Sequence, residues 1–131
     1  IKISNYLKKH DHVMVQKFIP QIKFGDKRIF IIGGDIKGAI KRVPKKGSIV
    51  SNLGQGGKAV KTILTKKELR IAKIVASSLK RNNIVFAGID LISDYLTGDI
   101  NITSPTGLKN FKDLTGKNLA IDFWNYLEKN K

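Results

Sequence analysis

Residues 84–92 read IVFAGIDLI and form a nearly continuous apolar run. Such a run is typical of a strand in the middle of a sheet that is covered on both faces. Asp90 is the single charged residue in it. A lone carboxylate in a covered strand is costly unless it is paired or bound to a metal ion. The run therefore predicts both a buried strand and a site at Asp90.

Turn and capping signals on either side of this strand predict the remaining elements. Residues 27–32, KRIFII, predict a second strand, and the turn signal at 33–35 joins it to a hairpin partner at 36–43. A capping box beginning at Thr65 predicts a helix at about 66–81. The residues before position 13 show no helix cap. We also expect strands at 13–20 and, after a turn at 93–98, at 99–103, with helices at 108–114 and from about 115. The predicted fold class is α+β, an antiparallel sheet packed on helices.

The chain is strongly basic, with 25 Lys and Arg against 10 Asp and Glu in 131 residues, a formal net charge of +15. This charge is compatible with a nucleic-acid-binding module. The alternative is compositional drift, which the ratio of 21 Lys to four Arg favours, because phosphate and base recognition usually recruits Arg. Nucleic acid is therefore not the expected partner. The length gives room for about one domain.

Two absences in the sequence exclude other classes of protein. The chain has no Cys, so it has no disulfide framework, thiolate metal site or Cys nucleophile, and a reducing, cytoplasmic setting fits this. No stretch of about 18 apolar residues predicts a transmembrane helix, and a membrane is not an expected partner.

Three oxygen-bearing side chains are placed to converge in the predicted hairpin. Asp99 and Asn101 are two residues apart and share one face of their strand, and Asp90 lies on the preceding strand. Carboxylate and amide oxygens suit Mg²⁺ that also binds water and substrate phosphates. The alternative is that Asp90 lies near a strand end, paired with a Lys.

Two arginines stand on neighbouring predicted strands of this Lys-rich chain. Arg28 begins one strand and Arg42 ends its partner. Both are candidates for a bidentate grip on carboxylate or phosphate oxygens. The alternative is that they are two surface cations.

The segment 44–61, PKKGSIVSNLGQGGKAVK, is a Gly-rich loop that is long for a structureless connection. Its backbone N–H groups could cradle a phosphate or an acyl intermediate around Asn52, Gly56 and Gly57. It matches neither of the common Gly-rich nucleotide motifs, so a flexible linker is the alternative.

Taken in order, several segments closely resemble the C-terminal portion of the prokaryotic glutathione synthase family, which are ATP-grasp ligases. The resemblance covers the chain from about Val13 to the last helix, and the ordered combination is specific. The segments are VMVQKFIP at 13–20, GDKR at 25–28, KRVP at 41–44, SNL at 51–53 with GG at 56–57, AGID at 87–90 and DINITSPT at 99–106.

This resemblance implies a reaction and a set of roles. The family joins γ-glutamylcysteine to glycine with ATP and Mg²⁺ (or Mn²⁺), through an acyl phosphate of the dipeptide. By resemblance, Asp90, Asp99 and Asn101 would hold the metal ion. Arg28 would grip a substrate carboxylate, and Arg42 would stabilise the transferring phosphoryl group.

The remaining roles also come from the resemblance. The loop at 44–61 would be a lid that keeps water from the acyl phosphate. The adenine contacts would be Gln16, Phe18 and Ile19, and the substrate contacts outside the lid would be Ser104 and Thr106. The chain departs from the family at Gly98-Asp99, where a Glu is usual, and at 50–52, which lacks an Arg that relatives can carry.

The resemblance also implies a domain organisation. Residues 1–131 would be the C-terminal part of an ATP-grasp domain, with 1–12 the tail end of the preceding subdomain. We expect little or no ligase turnover from this chain alone, and a homo-oligomer when the N-terminal and central domains are present. Another ATP-grasp carboxylate–amine ligase and a basic nucleic-acid-binding module are the alternatives.

Overall fold

The computed structural model of the chain describes residues 3–10, 12–13 and 15–130, with the backbone alone at Gln55, Thr97 and Gly98. Within these residues the helices and strands follow one another along the chain as follows: α1 Ile3–His10, β1 Asp26–Ile32, β2 Asp35–Val43, β3 Lys58–Lys61, α2 Lys66–Arg81, β4 Phe86–Ile92, β5 Tyr95–Asn101, α3 Leu108–Thr115 and α4 Leu119–Lys129.

In this described part of the chain the strands form one five-stranded antiparallel sheet, in the order β3-β2-β1-β4-β5. Strand β1 lies in the centre, between β2 and β4, and the segment IVFAGIDLI contributes β4 beside it. The predicted α+β class is confirmed. None of the helices in the described ranges is long and apolar enough to cross a membrane.

Both faces of the central strands are buried, which explains why their sequences are apolar at almost every position. One face packs on α2 through Ile29, Ile31 and Ile89. The other packs on α3 and α4 through Phe30 and Ile32, and the ring of Phe30 meets an α3 ring edge-on. Because side chains alternate along a strand, one apolar run supplies both cores.

The predicted capping box at the start of α2 is confirmed, and it is joined to the sheet. Thr65 Oγ1 accepts the backbone N–H of Glu68 at 3.2 Å, and Glu68 Oε2 accepts the N–H of Thr65 at 2.7 Å. The same Glu68 oxygen accepts from Lys27 Nζ at 2.7 Å. The capping box therefore fixes α2 against β1 and also caps the N-terminal end of the helix.

We expect Thr65→Ala to lower the free energy of unfolding by about 1 kcal/mol, because an N-terminal N–H of α2 loses its acceptor. Urea unfolding of the two proteins measures the difference. Thr65→Ser keeps the hydroxyl and is the matched control. Equal losses in the Ala and Ser variants would show that the hydroxyl contributes nothing.

The predicted strand at 13–20 is wrong for its described residues. Residues 13 and 15–19 have no strand pairing, and a 3₁₀ turn covers Pro20–Phe24. The segment is rich in β-branched residues, but β propensity expresses itself only when a neighbouring strand takes up the backbone N–H and C=O groups. Within the described residues no strand pairs with it.

Several predicted boundaries are also wrong, for local reasons. The turn before β5 ends at Asp94, because Ser93 adopts a positive φ of 55° and permits a two-residue hairpin. The strand accordingly covers Tyr95–Asn101 instead of 99–103. The last helix begins at Leu119, since Gly116 ends α3 and the Asn118 side chain caps α4.

Two elements were not foreseen. The last four residues of the predicted loop at 44–61 form β3, which pairs with the end of β2. A helix, α1, stands at Ile3–His10 in the part that shows no cap in the sequence, and all its residues are exposed. Its apolar residues Ile3, Tyr6 and Leu7 have helical spacing, which is the signal that the search for a cap misses.

Candidate functional site

The strand register places two buried ion pairs side by side. Arg28 of β1 is directly opposite Asp90 of β4, and Asp26 of β1 is directly opposite Arg42 of β2. All four lie on the face of the sheet that carries Phe30, beyond the core that α3 and α4 cover. They are at most 7% exposed.

The arginines bind the carboxylates as planar forks. Arg28 donates from Nε to Asp90 Oδ1 at 2.5 Å and from Nη2 to Oδ2 at 2.8 Å. Arg42 donates in the same way to Asp26, from Nε at 2.8 Å and from Nη2 at 2.5 Å. Arg42 Nη2 also donates to Asp90 Oδ2 at 2.6 Å. Asp90 thus joins the two arginines into one network.

Asp99 extends this network into the solvent-exposed region. Arg28 Nη2 approaches Asp99 Oδ2 at 3.4 Å, and the Asp99 side chain is 56% exposed. Three carboxylates then face two guanidinium groups, so the network carries excess negative charge when all are ionised. We call Asp26, Arg42, Asp90, Arg28 and Asp99 the charged network.

The network stabilises the charged forms of its buried members. Burial by itself raises the pKa of Asp90, but the hydrogen bond from Arg28 and the charges of Arg42 and Arg28 outweigh it and lower that pKa. Burial would likewise lower the pKa of Arg42, and the hydrogen bond from Arg42 to Asp26 and the charge of Asp90 raise it instead. Both side chains are therefore ionised at neutral pH.

Asp99 has the opposite shift. Burial raises its pKa, the neighbouring Asp90 raises it further, and the charges of Arg28 and Arg42 only partly oppose this. A carboxylate whose pKa is raised by burial and by a neighbouring carboxylate is stabilised in its ionised form by an added cation. Such a cation would be stabilised most at the exposed end of the charged network, beside Asp99.

Asn101 is engaged in the turn that follows β5. Its Oδ1 accepts the backbone N–H of Thr103 at 3.2 Å and of Ser104 at 3.0 Å. This amide oxygen would have to release a turn hydrogen bond to coordinate a cation. Within the described residues, no three His, Cys, Asp or Glu side chains form a cluster that could hold a metal ion.

An open cleft of about 730 Å³ lies over the charged network. Its walls are the first part of the Gly-rich loop, around Ser51 and Leu53, and the turn after β5. The structure thus brings together most of the residues that the sequence singles out. Those lining the cleft are Arg28, Arg42, Asn52, Asp90, Asp99, Asn101, Ser104 and Thr106.

A second, mainly apolar cavity of about 540 Å³ adjoins this cleft. It is formed between the chain segment before β1 and the hairpin of β4 and β5, with Ile92 and Leu96 on the hairpin side. Ile49 lines both cavities, so they meet at this residue. The three predicted adenine contacts, Gln16, Phe18 and Ile19, line this cavity and not the cleft.

Gly56 and Gly57 shape the loop instead of lining the cleft. Gly56 has a φ of 89° and closes a 3₁₀ turn, and Gly57 donates its N–H to the Asn52 carbonyl at 3.2 Å. The Asn52 side chain caps the same turn by accepting from Gly54 N at 3.1 Å. The two glycines therefore bring the loop back toward β3, while residues 49–54 face the cleft.

The geometry decides between the alternative interpretations of Arg28, Arg42 and Asp90 that the sequence left open. Arg28 and Arg42 are not surface cations, since they are 3% and 6% exposed. Asp90 is paired as expected for a buried carboxylate, and the ion pairs described for it are with two arginines instead of a Lys. Asp26 was missed. Its position opposite Arg42 depends on a shift of the hairpin register between Phe30 and Ile31, for which the sequence gives no signal.

Comparisons with known proteins show which family the chain matches. Residues 2–116 match the family described as prokaryotic glutathione synthetase, ATP-grasp domain. The chain is 47% identical over 108 residues to a glutathione synthetase of Prochlorococcus marinus, covering 82% of the chain and 35% of that relative. It is 39% identical to the glutathione synthetase of Rhodopseudomonas palustris, covering 88% of the chain and 36% of that relative.

A third relative, a glutathione synthetase of Nostoc sp., is 39% identical over 118 residues, which are 90% of the chain and 36% of that protein. The chain therefore spans about a third of the length of the curated relatives it matches.

Proposed function

Because the chain belongs to the prokaryotic glutathione synthetase ATP-grasp family, we propose that it forms the cation-binding and acyl-phosphate half of a glutathione synthetase active site. The observation that carries this proposal is the charged network on the floor of an open cleft, with Asp99 at its exposed end. Phosphoryl transfer needs the positioning and neutralisation of oxygen charge more than it needs a protein nucleophile.

In the proposed reaction a carboxylate oxygen of γ-glutamylcysteine attacks the γ-phosphorus of ATP. The bond to the bridging oxygen breaks, ADP leaves and an acyl phosphate of the dipeptide forms. The glycine amine then attacks the acyl carbon, loses a proton and displaces inorganic phosphate. Each step places negative charge on oxygens that lie in the cleft.

Arg28 and Arg42 are the cations that would face these oxygens. Their forks are held by Asp90 and Asp26, so they do not reorganise when charge develops. Arg28 would bind a substrate carboxylate and Arg42 the transferring phosphoryl group. Two prealigned guanidinium groups at the cleft floor are suited to both roles.

The site also fits a divalent cation such as Mg²⁺ or Mn²⁺. Mg²⁺ is usually bound by one or two carboxylates together with substrate phosphates. Asp99 and Asp90 would supply the carboxylates, with Asn101 as a further ligand on release from its turn. When bound, the cation would neutralise phosphate charge and bridge the phosphates to the protein.

ATP would occupy both cavities. The adenine would lie in the apolar cavity against Phe18 and Ile19, and the phosphates would reach the cleft past Ile49, which lines both. The loop at 44–61 would cover the acyl phosphate, since its residues 49–54 already face the cleft. Asn52, Ser104 and Thr106 would contact the dipeptide or glycine.

The first test is the affinity for Mn²⁺, used as the probe cation. We expect Asp99→Asn to weaken Mn²⁺ binding by about tenfold or more, because one of two carboxylate ligands is lost. Isothermal titration calorimetry of the 131-residue chain measures it. Binding should also weaken as the pH falls, because the raised pKa of Asp99 lets protons compete with the cation.

Asp113→Asn is the matched control, because it removes the same charge from an exposed pair with Lys109 on α3, away from the cleft. This variant should bind Mn²⁺ as the unmodified chain does. Equal affinities in the Asp99 and Asp113 variants would contradict the cation site.

The second test separates a ligase from a basic nucleic-acid-binding module. Titration of the chain with Mg-ATP is set beside RNA binding at two salt concentrations. Nucleotide binding that depends on Mg²⁺ supports the proposal. A steep salt dependence with RNA, together with no Mg²⁺-dependent nucleotide binding, would favour the other class.

The wider context of the site stays a prediction. We expect a cytoplasmic enzyme that is a homo-oligomer when complete, with the 1–12 segment belonging to a preceding subdomain. Little ligase turnover is expected from the 131 residues alone, and glutathione formation by this chain would contradict that.

A further inference from the structure

Gly88 lies in β4, next to the central strand β1, on the face of the sheet that carries the charged network. It is buried in β4, with Phe30 opposite it on β1 and Asn101 opposite it on β5. Its φ lies outside the left-handed region. The backbone conformation therefore does not call for glycine here, and the reason must be space.

The space above Gly88 is filled by Arg28. A Cβ at position 88 would stand 2.9 Å from Arg28 Cδ, 3.0 Å from Arg28 Nη1 and 3.1 Å from Pro105 Cβ. Real Cβ atoms essentially never come closer than 3.0 Å to such an atom, and contacts of 3.0–3.4 Å are tighter than nine in ten of theirs. The Arg28 side chain thus lies flat across β4, over Gly88 and next to Pro105 of the turn after β5.

This placement decides which edge of the guanidinium group is left without an acceptor. Nε and Nη2 donate to Asp90. Nη1 is buried and has no hydrogen-bond partner among the described residues. A buried donor left without an acceptor costs free energy, and an anionic oxygen of a ligand would satisfy it.

We propose that Gly88 is a positioning residue for Arg28. By lacking a side chain it leaves the slot in which the guanidinium group stays docked on Asp90 with Nη1 held for a ligand oxygen. The identity of that ligand, a substrate carboxylate or phosphate, rests on the proposed function. The positioning of Arg28 itself does not.

Gly38 shows how this differs from a glycine that serves packing. It lies in the same row of the sheet, on the other side of Phe30, and its Cβ would stand 2.4 Å from two ring atoms of Phe111. An added methyl group at Gly38 presses on an aromatic ring in the core. An added methyl group at Gly88 presses on a long side chain, which can move away and leave Asp90.

The test is a nuclear magnetic resonance experiment on the arginine Nε–H groups, of which the chain has four. We expect Gly88→Ala to shift the Arg28 signal and to make its exchange with water at least about tenfold faster, with the Arg70 and Arg81 signals unchanged. Gly38→Ala should lower the unfolding temperature without moving the Arg28 signal. An Arg28 signal that responds alike to both substitutions would overturn the proposal.

Pro105→Gly is a second variant that does not crowd the core and removes one wall of the slot. It should also speed exchange at Arg28 Nε, so the proposal remains testable if Gly88→Ala does not fold. An unchanged exchange rate of the Arg28 Nε–H with water in this variant would contradict the proposal that Pro105 and Gly88 form a slot for Arg28.

Titration with inorganic phosphate then tests the binding of an anion by Arg28 separately from the positioning of Arg28 by Gly88. Arg28 signals that shift with phosphate in the unmodified chain and not in Gly88→Ala support both. Arg28 signals that ignore phosphate in the unmodified chain contradict the anion-binding role within the proposed function. In that case the exchange rates still decide whether Gly88 positions Arg28.

Discussion

Asp90→Asn is expected to lower the free energy of unfolding by about 3–5 kcal/mol, the usual loss when one partner of a buried ion pair is removed. The amide has nearly the shape of the carboxylate, so packing is kept. It leaves Arg28 and Arg42 buried, with a neutral group where both now meet an anion. Arg42 retains Asp26, while Arg28 retains only the longer contact with Asp99.

Urea unfolding measures this loss, with Asp35→Asn as the matched control. Asp35 makes an ion pair with Lys37, but its side chain is 70% exposed, so this control should lose no more than about 1 kcal/mol. Similar losses in the two variants would show that the charged network contributes no more than a surface pair.

The pH dependence gives an independent test, because Asn does not titrate. The folded-state pKa of Asp90 is lowered, so its contribution is fully present above the ordinary Asp value of about 3.9 and is lost as the pH falls through the lowered pKa. The stability difference between the two proteins should therefore be constant near neutral pH and shrink in acid. A difference that does not change with pH would mean that the carboxylate charge is not what stabilises the fold.

The charged network also shows what the sequence could predict. The apolar run around Asp90 predicts a covered strand, and the cost of a lone buried charge predicts a partner. The turn at 33–35 predicts the hairpin that carries Arg28 and Arg42. The register within that hairpin is set by a bulge between Phe30 and Ile31. No pattern of residues in the sequence indicates this bulge. The pairing of Arg42 with Asp26 was therefore missed.

The errors elsewhere have two physical origins, a missing partner strand and an unusual local backbone conformation. The segment at 13–20 has the composition of a strand, but composition does not say whether a neighbouring strand is present. The start of β5 depends on one residue, Ser93, adopting a positive φ that is more usual for Gly, and the next Gly along the chain is Gly98. The residue pattern predicted the elements that a turn or cap residue marks. It failed where a partner strand or an unusual backbone conformation decides the structure.

Gly25→Ala is the second substitution for which we expect a large loss, about 3 kcal/mol or more. Gly25 has φ 90° and ψ −179°, a region that is essentially restricted to Gly and costs other residues about 1–3 kcal/mol. Its missing Cβ would also stand 2.0 Å from the Arg42 carbonyl oxygen and 2.9 Å from its carbonyl carbon. A backbone atom of β2 cannot move aside as a surface side chain can.

Gly47→Ala separates the two causes. Gly47 also has a positive φ, 82°, but nothing lies within 4 Å of its Cβ position, so it should lose only about 1 kcal/mol from conformation. Urea unfolding of both variants then gives the part that is due to the close approach of Gly25 to β2. Equal losses of unfolding free energy in the two variants would show that the close approach of Gly25 to β2 is relieved without a cost in stability.

The same comparison bears on the site, because Gly25 joins its two halves. Ile22, in the 3₁₀ turn just before Gly25, lines the apolar cavity, and Asp26, just after it, holds Arg42 in the cleft. A shift of β2 away from Gly25 would lengthen the contact between Asp26 and Arg42. We therefore expect Mg-ATP binding to weaken more in Gly25→Ala than in Gly47→Ala when both are measured on folded protein. Equal binding would mean that the position of Arg42 does not depend on how tightly Gly25 packs against β2.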